Sequence, residues 1–169
     1  IFETIKFSPK KLYDFIKMKA VLVSRTSIDF KIDKELIVDS TPSYEKFYFK
    51  NGIADYLDIK NKNSAKLFDK QFSIVNKIND TEKCEIFISF NQSEKSSLLS
   101  FCNTIETPDG GSHENGFKNG IIRAIKLYGQ KNQVAKISNV NINDLTDYSD
   151  IVISIFINEP SFEGQTKKR

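Results

Sequence analysis

An α+β fold is what this sequence predicts, and three stretches carry the prediction. In SIDFKID (27–33), Ile28, Phe30 and Ile32 alternate with Asp29, Lys31 and Asp33, the period-two pattern of a strand with one wet face. QFSIVNKIN (71–79) and CEIFISFN (84–91) flank the polar DTEK (80–83), which predicts a hairpin. In GFKNGIIRAIKLYG (116–129), Phe117, Ile121, Ile125 and Tyr128 recur on one helical face. With 169 residues, 39% of them apolar and 14 Phe, the chain suits one domain over 1–169 with one sizeable core.

The elements follow in order. FSPKKLYDFIKMKAVL (7–22) opens with Ser8 as N-cap and Pro9 at the first helical position, where its missing N–H costs nothing, and Leu12, Phe15, Ile16 and Ala20 follow at helical spacing. The strand pattern of 27–39 resumes in KFYFK (46–50) after Pro42. Asn51-Gly52 breaks the chain, and GIADYLDIK (52–60) predicts a short helix with Ile53, Tyr56 and Leu57 on one side. NKNSAK (61–66) reads as loop, and SLLSFCNTIE (97–106) as a third strand after the hairpin. The clearest strand-to-helix transition is TPDGGSHENGFKNGIIRAIKLYG (107–129). Gly129 sits where a C-terminal cap is expected, and Gly116 and Gly120, four apart, share a face that permits close approach of a strand. A short helical piece around NDLTDYS (143–149) leads into the strand DIVISIFIN (150–158).

Bulk properties exclude little. The net charge of +3 does not by itself imply a nucleic-acid partner, although 25 basic residues leave room for a local patch. The longest apolar run, IVISIFI, is one strand long and far short of the roughly 20 residues of a membrane span. Cys84 and Cys102 lie in predicted strands and read as reduced thiols of a cytoplasmic protein. The chain begins with Ile and carries no leader-like segment, so the expectation is an excised piece of a longer protein.

Candidate sites are sparse at this level. DGGSHENG (109–116) before a helix could cradle an anion on free N–H groups, but it lacks the Gly-Lys-Ser/Thr of a P-loop and the tight triple glycine of a dinucleotide fingerprint, and it reads on spacing as a plain structural turn. His113, the only histidine, has no metal-ligand spacing around it and reads as a hydrogen-bonding residue at a helix start. Asp144, Asp147 and Asp150 read as cap and turn residues. Lys118, Arg123 and Lys126 decorate the exposed side of the long helix, as either a solvated face or a phosphate-binding one. The terminal QTKKR (165–169) has the composition of a solvated basic end.

Two of these runs carry more than their spacing reveals. NTIETPDGGSHENGFKNGIIRAIKLYG (103–129), followed by SDIVISIFINEPSFEGQTKKR (149–169), resembles the second, transducer domain of the ATPase subunits of bacterial type IIA DNA topoisomerases, and the resemblance covers essentially the whole chain. FSPKKLYDFIKMKAVL and NGIADYL look closer to the topoisomerase IV B subunit than to the gyrase B subunit. Two departures stand out: Ser112 replaces the family's usual Thr, and the turn 24–27 lacks the Gly often found there, which leaves that turn's geometry open.

The resemblance implies a fold like ribosomal protein S5 domain 2, a two-layer arrangement of a mixed sheet with helices on one face and a left-handed βαβ crossover, against the right-handed default. It implies a fragment whose N-terminal ATPase domain and C-terminal TOPRIM region lie outside 1–169. ATP and Mg2+ would be held mainly by the ATPase domain, with Gln165 and Lys167 reaching across to the γ-phosphate and Lys167 acting in catalysis. Lys118 would contact DNA. The implied partners are double-stranded DNA, the topoisomerase IV A subunit and a second copy of the B subunit in an ATP-bound homodimer, in the cytoplasm at the nucleoid and with no membrane. Two alternatives stay open: the transducer domain of a gyrase B subunit, and a stand-alone S5-like nucleic-acid-binding module.

Overall fold

The structure is a computed structural model, and it describes residues 7–92 and 96–163. The chain gathers into two compact units, Ile1–Ile59 and Lys60–Arg169.

The first unit holds a helix on a two-stranded ribbon. Helix α1 (Pro9–Leu22) starts as its sequence dictates: the Ser8 side chain accepts from the Lys11 N–H and Pro9 takes the first turn. Strands β1 (Ser27–Lys31) and β2 (Tyr44–Tyr48) pair antiparallel, and a single 3-10 turn, Lys34–Leu36, replaces the rest of the expected first strand. Asp33 caps that turn by accepting from the Glu35 N–H, a local bond that competes with strand pairing. Tyr13 of α1 packs edge-on against Phe30 and Phe47, with ring centroids 5.4 and 5.1 Å away. Its hydroxyl donates to Glu45 Oε2 at 2.5 Å. Burial and this bond to a carboxylate push the Tyr13 phenol up to about 12. Of the predicted apolar stripe on α1, Ala20 is buried and Ile16 half-buried, but Leu12 and Phe15 are exposed; the burial concentrates at Ala20, Val21 and Leu22. Helix α2 (Ile53–Lys60) buries Ile53 and Leu57 as its spacing predicts. It is preceded by Gly52 at φ +59, where an added Cβ would stand 2.9 Å from the Val21 carbonyl oxygen.

The second unit is a five-stranded mixed sheet in the order β3-β4-β7-β5-β6. The expected hairpin is β3 (Phe72–Lys77) with β4 (Lys83–Phe90). The predicted third strand is two pieces, β5 (Ser97–Cys102) and β6 (Ile105–Glu106), split by Asn103 and Thr104, both at positive φ. Then come α3 (Ser112–Lys131), α4 (Ile142–Thr146) and β7 (Ser149–Phe156), which enters the middle of the sheet antiparallel to β4 and parallel to β5. Six of the eight residues of β7 are buried, which is why its sequence is largely apolar. Ile86 faces Ile153 and Ile88 faces Ile151 across β4 and β7, and Phe117 of α3 and Leu145 of α4 close over them on one face. Each such buried side chain contributes about 1.5–3 kcal/mol. Cys84 and Cys102 both register with Ile155 from opposite sides, hence two strand spacings, roughly 10 Å, apart. Both are free thiols whose ionisation burial pushes up.

Two expectations are corrected, at Gly129 and Asp150, and one permitted contact, at Gly116 and Gly120, is not made. Gly129 does not end α3: the helix continues to Lys131, and an added Cβ at Gly129 would overlap Ile137 Cγ1, so the glycine makes room for the following 3-10 turn Ile137–Asn139. Gly116 and Gly120 meet no close strand; an added Cβ at either finds nothing within 4 Å. Asp144 does cap α4, in a reciprocal box with Asn141, but Asp150 is a buried ionic centre. Among the described residues no helix is long and apolar enough to cross a membrane.

Candidate functional site

The start of α3 is tied to the sheet by a short polar network. Thr107 N–H donates to the Ser100 carbonyl of β5 at 2.9 Å, and their hydroxyl oxygens lie 2.7 Å apart. Both side chains are buried, so each must find its partners inside the protein. Gly110, at φ +76, donates to the Thr107 carbonyl at 2.9 Å and turns the chain toward the helix. His113 lies 3.2 Å from Thr107 Oγ1 through Nε2, the helix-start role its sequence position predicts. Burial lowers its proton affinity, opposed in part by the Glu114 charge, so the imidazole is neutral at pH 7.

Glu114 is the hub of this network. One carboxylate oxygen, Oε2, accepts from Ser100 Oγ at 3.1 Å and the other, Oε1, from Lys118 Nζ at 2.5 Å. The Glu114 and Lys118 side chains are 14% and 34% exposed, so the pair is partly withdrawn from water. Lys118, the residue expected to contact DNA, is thus held by its own helix. Sequence reasoning passed over Glu114, although an i,i+4 Glu-to-Lys spacing is a readable signal.

Beyond Lys118 the helix presents a groove of about 620 Å³ shared with the chain leading into α4. It is lined by Lys118, Arg123 and Lys126, the amides Asn115, Asn119, Gln130 and Asn141, and four aliphatic residues. Cations and amides on one helical stripe bind phosphate oxygens well, and among the described residues the lining includes neither a carboxylate nor an aromatic ring. From Asn115 to Gln130 this stripe is about 22 Å long at helical rise.

At the other side of the α3 start is a cavity of about 800 Å³, bounded by Gly111, Ser112, His113 and the segment with Glu159, Phe162 and Glu163. Ser112, where the resemblance expects Thr, is exposed at the first helical position, and the helix has no side-chain N-cap bond. Gln165 and Lys167 lie outside the described residues. No group of three or more His, Cys, Asp or Glu side chains that could hold a metal occurs among the described residues.

A second polar centre forms around Asp150, which its sequence position presents only as a cap or turn residue. Asp150, 2% exposed, accepts from Lys60 Nζ at 2.6 Å, from Ser97 Oγ at 2.5 Å and from Asn91 Nδ2 at 2.8 Å. Burial raises its pKa, but the bonds from Lys60 and Ser97 outweigh that and hold the carboxyl below its ordinary range. Its partners Ser97 and Lys60 stand 53 and 90 positions away, so no local pattern announces them.

Residues 52–169 match the family model described as DNA gyrase B. The chain is 36% identical over 169 residues to the B subunit of DNA topoisomerase 4 from Rickettsia felis, covering 99% of this chain and 25% of that protein. It therefore spans about a quarter of the length of the curated relatives it matches. A topoisomerase IV ATP binding domain structure from Francisella tularensis, in complex with a small-molecule inhibitor, superposes with a TM-score of 0.74 at 31% identity, over 99% of this chain and 43% of that one. The 43K ATPase domain of Thermus thermophilus gyrase B, in complex with an aminocoumarin, gives 0.72 at 25% identity, over 96% and 43%. With a family match over more than half its length, the chain belongs to the DNA gyrase B family.

Proposed function

We propose that residues 1–169 form the transducer domain of a topoisomerase IV B subunit, coupling ATP binding and hydrolysis in a preceding ATPase domain to closure of a B-subunit dimer and passage of a DNA duplex. The observation that carries this reading is the similarity along 99% of the chain to B subunits of topoisomerase 4, of which it makes up 25%. The two compact units are then parts of one domain, with the fold like ribosomal protein S5 domain 2 that the resemblance implies. The parallel β5/β7 pair bridged by α3 and α4 is where the left-handed crossover is expected.

On this reading ATP is the substrate of the neighbouring domain, which also supplies the Mg2+ and adenine contacts. Lys167 contributes a compact point charge on a flexible stem, suited to follow the γ-phosphate and to stabilise charge as the phosphoryl group leaves. Gln165 adds an orienting hydrogen bond. Because these contacts exist only while the γ-phosphate is present, the loop favours one of two domain arrangements, which is what a nucleotide-driven rotation requires. Lys118 faces the transported duplex, and the carboxylate-free groove beside it supports that assignment.

The same groove favours one second reading, a nucleic-acid-binding module acting without nucleotide. Reconstitution of the full-length protein with its cognate A subunit tests the function: ATP-dependent decatenation is expected. Negative supercoiling would assign the chain to a gyrase instead. Salt-sensitive DNA binding without any ATP-dependent strand passage would favour the module.

A further inference from the structure

The contact assigned to Lys118 has an internal competitor. Its ammonium is bound to Glu114 at 2.5 Å, and Glu114 is itself fixed to the sheet through Ser100. Arg123 and Lys126 in the same groove have no carboxylate partner among the described residues. A phosphate approaching Lys118 meets a neutralised pair and a carboxylate that repels it, whereas one approaching Arg123 or Lys126 meets an uncompensated cation. The groove thus offers two such cations and a third that is available only when its ion pair opens.

From this we infer that Glu114 is a positioning residue for DNA recognition, withholding Lys118 from the phosphate backbone and so setting how many phosphates the α3 groove neutralises. The inference rests on the reading of Lys118 as a DNA contact. It assigns the occupant as duplex backbone, because the lining has cations and amides for phosphate oxygens but no aromatic platform on which single-stranded bases could stack.

The test is binding of a duplex oligonucleotide to the full-length protein at roughly 50 to 200 mM salt, for Glu114→Gln, Lys118→Ala and the double variant. Glu114→Gln keeps an oxygen for the Ser100 hydroxyl but loses the charge. The expected result is about fivefold tighter binding at low salt and a log–log salt slope steeper by about 0.9. Most of that gain should vanish in the Lys118→Ala background. Equal gains from Glu114→Gln with and without Lys118 would reveal a general charge effect and overturn the gate, as would no gain at all. Lys118→Ala without effect in the Glu114→Gln background would overturn the contact itself. Unchanged salt dependence in Lys118→Ala, Arg123→Gln and Lys126→Gln alike would sink the DNA reading of the whole groove.

Discussion

Lys60 Nζ donates to Asp150 Oδ1 at 2.6 Å, tying the first residue of the second unit to the start of its central strand β7. Asp150 is almost completely enclosed while Lys60 keeps a third of its side chain in water. Replacing Asp150 by Asn leaves the half-buried Lys60 cation without its counter-charge, and one amide oxygen in place of the two carboxylate oxygens that serve Lys60, Ser97 and Asn91. Asp150→Asn is expected to cost about 3 kcal/mol at pH 7, the lower end for a broken buried pair because Lys60 can rehydrate. The folded-state pKa of Asp150 is lowered, so its stabilisation is present above the unfolded value near 4 and is lost as pH falls through the lower folded value. Urea unfolding from pH 7 down to about 2.5 should show an acid-side loss that shrinks in Asp150→Asn.

Glycines on the same helix should respond with opposite signs. Gly129→Ala drives a methyl into Ile137 and is expected to destabilise by about 1–3 kcal/mol despite alanine's better helix propensity. Gly120→Ala meets open space and should stabilise by up to about 1 kcal/mol. Thermal unfolding of the two variants checks both, and Ile137→Ala should relieve only the first, and only in part, because the Cβ it retains would still stand 2.7 Å from the added methyl.

The turn 24–27, where the resemblance expects Gly, carries its strain at Arg25, which sits at φ 64 while its N–H donates to the Phe49 carbonyl at 3.0 Å. A side chain there costs roughly 1–2 kcal/mol, and glycine returns part of that to unfolded-chain entropy. Arg25→Gly is therefore expected to raise stability by about 0.5–1 kcal/mol, whereas Arg25→Ala should not. Denaturant midpoints of the two variants separate backbone strain from loss of the guanidinium.

Local chemistry made much of this fold legible. Ser8-Pro9 announced α1, the alternation at Ile28 and Phe30 announced β1, and DTEK marked the β3–β4 hairpin, because capping, pleat and turn are decided within a few residues. The insertion of β7 between β4 and β5 was not legible, since strand order depends on contacts across the whole second unit. Gly129 illustrates the limit: a glycine near a helix end reads as a cap, yet here Ile137 decides its role. Of the site, Lys118 and the basic stripe could be read from helical spacing. The bonds from Glu114 to Ser100 and from Asp150 to Lys60 could not, because they join residues from separate elements.

Under the proposed function, Lys167 completes a nucleotide site in a neighbouring domain. ATP turnover by the full-length protein carrying Lys167→Ala, with folding checked by its unfolding midpoint, tests it most directly. A fall of about a hundredfold or more in turnover with an unchanged midpoint is the expected result, the scale of losing one positioned charge at a departing phosphoryl group. Turnover close to wild type in that variant would contradict the account.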